Sequence, residues 1–156
     1  MPGFELIGKE EFNEIQEIFK NGAVLYRNGF EQQRNDCFKV RDFEKEFAKY
    51  LSIENSLAVT SGTAALRVAL AALGIGEDDE VITQSFTFVA TLEAIIESNA
   101  TPVCTEIDNT LNMDPIDLEK KITPKTKAVI VVHMLGTPAK LKEIKDICKR
   151  YNLFLI

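Results

Sequence analysis

In the N-terminal third of the chain, apolar residues recur at helical spacing; beyond it they gather in short solid runs. Over Lys9–Lys20, Phe12, Ile15, Ile18 and Phe19 fall on one face, and Asn21-Gly22 supplies the stop. A polar segment, Arg27–Phe38, separates this helix from a second amphipathic one. There Phe43, Phe47, Tyr50 and Leu51 share a face, and Asp42 stands near the start. After that the rhythm changes. LAVT (57–60) reads as a strand, followed by an alanine-rich helix from Thr63 to Leu73 that Gly74 ends. EVIT (80–83) reads as a strand, and a helix runs from about Phe88 to Glu97. TPVCTEI (101–107) is a third strand, and Asp114-Pro115 forms an N-cap and first-turn pair opening the helix DLEKKI. AVIVV (128–132) is a fourth. Pro138 opens a helix through Tyr151 with Leu141, Ile144, Ile147 and Cys148 inward, and LFLI (153–156) is the last strand.

Five strands joined by four helix-sized crossovers predict an α/β fold, a mostly parallel sheet with helices on both faces, preceded by two helices. The organisation expected is an N-terminal helical segment over residues 1–55 and the sheet-bearing part over 56–156, with no repeat, low-complexity tract or linker. The chain stops on LFLI. An apolar strand of central type with no helix after it is the expected mark of a cut chain.

Composition narrows the classes. Of 156 residues, 46% are hydrophobic and 27% charged, with 5 prolines, which predicts a soluble folded domain. A net charge of −6 argues against a nucleic-acid partner or an anionic membrane surface. It leaves room for a phosphate ligand, because a helix N-terminus binds phosphate through backbone amides. The start, MPGFELIGKEEF, has no basic stretch followed by an apolar one, so no signal peptide is expected, and runs such as Ala128–Val132 are too short to cross a bilayer. Cys37, Cys104 and Cys148 show no ligand spacing, and the strand-like and helical settings of Cys104 and Cys148 predict buried reduced thiols. A cytoplasmic protein follows.

In a parallel sheet, ligands bind beyond the carboxyl ends of the strands. Three turns fall there. In TSGTAAL (60–66), Ser61 can cap the helix, Gly62 allows a tight turn, and the Thr63 and Ala64 amides would point outward unpaired, ready for an anion. Taken alone, the turn reads as a plain serine cap beside a glycine. QSFTFVAT (84–91) puts Phe86 and Phe88 where polar residues are usual. Phe86 reads as core, and Phe88 either as core or as a ring stacking on a flat ligand. VVHMLGTP (131–138) holds the one histidine, His133. With no second His or Cys nearby it reads as a hydrogen-bonded structural residue beside a possible site, not a metal ligand. On one edge these three features describe a pocket for a flat phosphorylated ring.

The string TSGTAALRVALAALGIGEDDEVITQSFTFVATLEAI (60–95) strongly resembles the sugar aminotransferase family of DegT and StrS, within the fold type I pyridoxal-phosphate enzymes. The match continues through ATPV (100–103), LNMDP (111–115) and ITPKTKAVIVVHMLG (122–136), and it covers nearly everything from about Phe43 onward. Carried over residue by residue, the resemblance implies that Gly62, Thr63 and Ala64 form the phosphate-binding turn. It also implies that Phe88 stacks on the pyridine ring of pyridoxal 5'-phosphate. Gln84 stands where the family usually has proline and Thr137 where it has glutamine. Neither position carries the chemistry, though Thr137 can affect the pocket. Leu25–Phe38, in the region that shapes the substrate side, matches less well.

The resemblance also implies what is missing. The chemistry needs a lysine that holds the cofactor covalently and moves a proton, and an acid that keeps the pyridine nitrogen protonated. In the family the aspartate follows the strand corresponding to LFLI and the lysine comes later, so both are expected beyond Ile156 and no catalytic residue is assigned in this chain. Lys45, Lys49, Lys142 and Lys149 read as solvated helix faces, and Lys125 and Lys127 precede their strand at the wrong edge. The activity implied is amination of a keto-sugar nucleotide or keto-cyclitol, with glutamate or glutamine as donor, by a homodimer with shared sites. It belongs to cell-surface polysaccharide or secondary-metabolite biosynthesis. The alternatives are another fold type I enzyme such as a lyase, which the run Ser85–Thr91 disfavours, or a non-catalytic relative serving regulation or assembly.

Overall fold

A computed structural model describes residues 3–156, which divide into two compact units between Ala58 and Val59. The first unit carries a short 3-10 turn (Phe4–Leu6) and two helices, α1 (Lys9–Lys20) and α2 (Lys39–Leu51). Helix α1 has the predicted bounds. Its N-terminus is held by the Glu11 carboxylate, which accepts the Gly8 N–H at 2.7 Å; a glycine cap has no side chain to return the bond. The predicted apolar faces exist but stay open: Phe12, Ile15, Phe19, Phe43, Phe47, Tyr50 and Leu51 are all exposed. What α2 buries instead is Ala48 and the carboxylate of Glu44. The Arg27 guanidinium grips Glu44 at 3.1 and 2.7 Å, and the Ala58 N–H reaches the same carboxylate at 2.9 Å. These contacts, Arg27 first and the Ala58 amide next, hold the Glu44 pKa below the usual range.

The second unit contains α3 (Gly62–Ala72), β1 (Glu80–Gln84), α4 (Val89–Glu97), β2 (Thr101–Thr105), α5 (Pro115–Lys121), β3 (Thr126–Ile130), α6 (Leu141–Arg150) and β4 (Phe154–Leu155). The sheet is all parallel, in the order β2-β1-β3-β4. Successive residues of one strand face opposite cores, as the period-2 geometry requires. Ile82 and Val129 pack with Leu118 of α5 and Ile144 and Ile147 of α6; Val81, Ala128 and Ile130 pack with Leu70 of α3 and Ile95 of α4. Helices therefore cover both faces, and the strands between them are apolar on both sides.

Three expectations need correcting. LAVT (57–60) forms no strand: the described sheet has four strands, and no paired neighbour is present for a fifth. Pro138 does not open α6, which begins at Leu141; Leu141 is exposed, while Ile144, Ile147 and Cys148 are buried as expected. The Ala139 N–H is instead turned onto His133, which delays the helix. Cys104 is exposed, because β2 is an edge strand; Cys148 is buried and Cys37 half-buried. Asp114 does cap α5, its side chain accepting the Ile116 N–H at 2.9 Å ahead of Pro115.

Candidate functional site

The crossovers define where a ligand can sit. From β1 the chain passes through α4 to β2 on one side; from β3 it passes through α6 to β4 on the other, and α4 and α6 cover opposite faces. Adjacent strands whose crossovers part in this way leave a crevice at their carboxyl ends, here between β1 and β3. The segments leaving that crevice are 85–88 and 131–138, two of the three turns singled out in the sequence. The third joins them by topology. Helix α3 ends at the loop that feeds the start of β1, and its 11 residues span about the length of a five-residue strand. Its N-terminus therefore lies on the carboxyl side.

At that N-terminus Ser61 is the cap, its Oγ accepting the Ala64 N–H at 3.1 Å. This corrects one expectation: the Ala64 amide is not free, because the cap hydroxyl occupies it. The Gly62 and Thr63 amides have no hydrogen-bond partner among the described residues. They point along the positive end of the α3 dipole, which suits an anion.

Phe88 sits at the N-cap position of α4 and is 74% exposed. Its ring is held clear of the core by the turn before it. The Thr87 and Thr91 hydroxyls are 3.0 Å apart, fixing the turn onto the first turn of α4. Phe86 is not core as the sequence suggests: it is 41% exposed. The space beneath the turn is filled by the carboxamide of Gln84, whose Nε2 donates to the Phe86 carbonyl at 3.0 Å and leaves the ring outside.

His133 is exposed, and its Nδ1 accepts the Ala139 N–H at 3.1 Å. That bond gives His133 a structural role as an acceptor. No cluster of His, Cys, Asp or Glu able to hold a metal occurs among the described residues. Lys45, Lys49, Lys142 and Lys149 lie exposed on their helices, and Lys125 is exposed at the amino edge; Lys127 is inside β3, not before it, though at the same edge. A concavity of about 700 Å³ lies at that amino edge, lined by Thr126, Lys127 and Phe154, away from all three turns. Near the crevice, Lys140 lies 3.0 Å from Asp108 Oδ2, and that bond raises the Lys140 pKa. A lysine poised as a nucleophile needs the opposite shift.

Two fully buried amides stand at this edge: Gln84, set aside from the sequence as carrying no chemistry, and Asn112, which the sequence did not single out. Their signal was a polar residue ending an apolar strand, and an asparagine just before Met113, which is itself core.

Residues 6–156 match the DegT/DnrJ/EryC1/StrS aminotransferase family. The chain is 43% identical over 152 residues to the spore coat polysaccharide biosynthesis protein SpsC of Bacillus subtilis (strain 168), covering 97% of this chain and 36% of the relative. It is 44% identical over 119 residues to the dTDP-3-amino-3,6-dideoxy-alpha-D-galactopyranose transaminase of Aneurinibacillus thermoaerophilus, covering 76% of this chain and 33% of that protein. Among solved structures, NtdA from Bacillus subtilis with bound cofactor PMP superposes with a TM-score of 0.80 at 31% identity, covering 99% of this chain and 34% of that one. The chain thus spans about a third of the length of these relatives. With the family's motifs carried on the family's fold, this chain belongs to the DegT/DnrJ/EryC1/StrS aminotransferase family.

Proposed function

We propose that residues 59–156 supply the phosphate-binding turn and the ring-stacking face of a pyridoxal-phosphate aminotransferase acting on a keto-sugar nucleotide, with a keto-cyclitol as the alternative acceptor. The observation that carries the reading is the placement, on one side of the sheet, of two unpartnered amides at a helix N-terminus and an aromatic ring left open. The amides fit a phosphate monoester; the ring of Phe88 fits a flat heterocycle. The relatives, a spore coat polysaccharide biosynthesis protein and a dTDP-amino-sugar transaminase, support a nucleotide sugar as the acceptor.

When bound, the cofactor supplies the electron sink that labilises the bond to the migrating hydrogen. The part played by this chain is to hold it: Gly62 and Thr63 take the phosphate, and Phe88 covers one face of the ring. Holding the reacting carbon covalently and protonating the ring nitrogen fall to a lysine and an aspartate outside residues 1–156. Glutamate or glutamine is the donor, a homodimer completes the site, and the cytoplasm is the compartment. Among the described residues no helix is long and apolar enough to cross a membrane.

The test is a titration of this chain with inorganic phosphate and with pyridoxal phosphate, followed by amide and aromatic resonances. Phosphate should move Gly62 and Thr63; pyridoxal phosphate should move these and the Phe88 ring as well. Borohydride reduction should leave no stoichiometric adduct on any one lysine. Silence at residues 62–63, or a single labelled lysine with turnover of an amino donor, would overturn the reading.

A further inference from the structure

We infer that Gln84 is a positioning residue for the ring-stacking face, a role that rests on the reading of Phe88 just given. Gln84 is the last residue of β1 and fully buried, a place where an apolar side chain would be cheaper. Its carboxamide is used at both ends. Nε2 donates to the carbonyls of Phe86 at 3.0 Å and Leu111 at 3.4 Å, and Oε1 accepts the Val132 N–H at 3.3 Å. A flipped amide would set oxygen against two carbonyls and NH2 against an N–H, so the orientation is unique.

The three segments so joined are those leaving β1, β2 and β3 at the crevice. A second fully buried amide extends the lacing: Asn112 accepts the Met134 N–H at 2.8 Å and donates to the Thr137 carbonyl at 3.2 Å. One lace ends on strained backbone and the other ends beside it. Leu111 and Leu135, neither of them glycine, hold left-handed φ values of 64° and 53°. Such conformations persist where the surroundings over-determine them, and they gather at ligand clamps. Gln84 bonds Leu111 itself; Asn112 bonds Met134, next to Leu135.

The consequence falls on Phe88. Gln84 pins the Phe86 carbonyl on one side of the turn, and the Thr87–Thr91 hydroxyl pair pins it on the other. An exposed ring has no packing of its own to set its direction, so these two pins set it. Gln84 reaches the cofactor only through Phe88 and touches no reacting atom.

The experiment measures affinities of this chain for pyridoxal phosphate and for inorganic phosphate in four forms: parent, Gln84→Met, Phe88→Ala and the double variant. Gln84→Met should weaken pyridoxal phosphate by about twofold to tenfold, no more than the loss of the aromatic stack itself, and leave inorganic phosphate unchanged within error. On the Phe88→Ala background it should add nothing, because the two act through one contact. Exchange of the Val132 amide should quicken in Gln84→Met. If that variant does not fold, Gln84→Glu, which keeps the acceptor and loses both donors, is read the same way. Equal loss of both ligands, full additivity with Phe88→Ala, or unchanged pyridoxal phosphate affinity would overturn the assignment. A parent that binds pyridoxal phosphate no better than phosphate would instead remove the cofactor reading beneath it.

Discussion

The two units of this chain handle apolar surface in opposite ways. From Val59 onward, a sheet apolar on both sides is sandwiched between helices, and Val81, Ile82, Ala128, Val129 and Ile95 are completely buried. Before that point, α1 buries nothing, α2 turns Phe43 and Phe47 outward, and the buried side chains include Arg34 and Glu44. Arg34 reaches the Tyr26 carbonyl and stacks on Phe38, while Glu44 takes Arg27. One unit is held by hydrophobic burial at both faces, the other by directed polar bonds around a little core. The lesson concerns patterns: an amphipathic period shows that a helix has an apolar face, not that this face is buried within the residues at hand.

The sharpest way to break that contrast is to truncate one side chain from each unit. Ile82→Ala empties a fully buried site and should cost about 2–5 kcal/mol. Phe43→Ala removes a ring that is 57% exposed and should stay within about 0.5 kcal/mol. Urea midpoints of both variants check this. Comparable losses would mean that the α2 face is covered in solution.

Much of the second unit was legible in the sequence, for reasons that show in particular residues. EVIT, TPVCT and AVI are dense β-branched runs between helical periods, and Asp114-Pro115 is a local start signal independent of tertiary context. LAVT was not distinguishable from these, because strand formation depends on a neighbour and pairing is invisible in a single segment. At the site, Ser61 and Gly62 were readable from cap chemistry, but the occupation of the Ala64 amide by Ser61 was a matter of geometry. The bonding of Gln84, set aside as a mere departure from the family's proline, and that of Asn112 were not legible because their partners, Val132 and Met134, stand far along the chain.

Capping offers a second comparison between the units. In the first, neither Gly8 nor Phe38 gives a side-chain cap; in the second, Ser61 and Asp114 do, while Phe88 and Lys140 do not. Ser61→Ala should destabilise the chain by about 1 kcal/mol, the usual cost of a lost N-cap. It should also free the Ala64 amide. Phosphate affinity should hold or rise in this variant as stability falls, which thermal melts and phosphate titration read separately. A parallel loss of both would place the Ser61 hydroxyl among the phosphate ligands.

Phe88→Ala tests the most exposed aromatic ring that the second unit leaves open at the crevice. Because the ring is 74% exposed, the melting temperature should barely move. Cofactor binding should weaken by about 0.5–1.5 kcal/mol, the contribution of a stacked pair. Matched titrations and melts separate the two effects. A drop in stability without a drop in binding would make Phe88 a packing residue like those of the core.

The smallest expected effect is electrostatic, the kind of contact that the first unit relies on most. Asp108 follows β2 at the site edge, and its pKa is lowered to about 2. The Thr110 hydroxyl, 2.5 Å from Oδ1, contributes most, with Lys140 and the Thr110 amide after it. The folded value lies below the unfolded one of about 3.9, so the charged form is favoured by folding. That stabilisation is complete above about pH 4 and is lost as pH falls toward 2. Asp108→Asn should therefore lower the unfolding free energy at pH 7 by no more than about 1 kcal/mol, given the half-exposed Lys140 partner. At pH 3 the gap between variant and parent should shrink. A gap that stays constant between pH 7 and pH 3 would mean that the Asp108 bonds matter for their geometry and not for the charge.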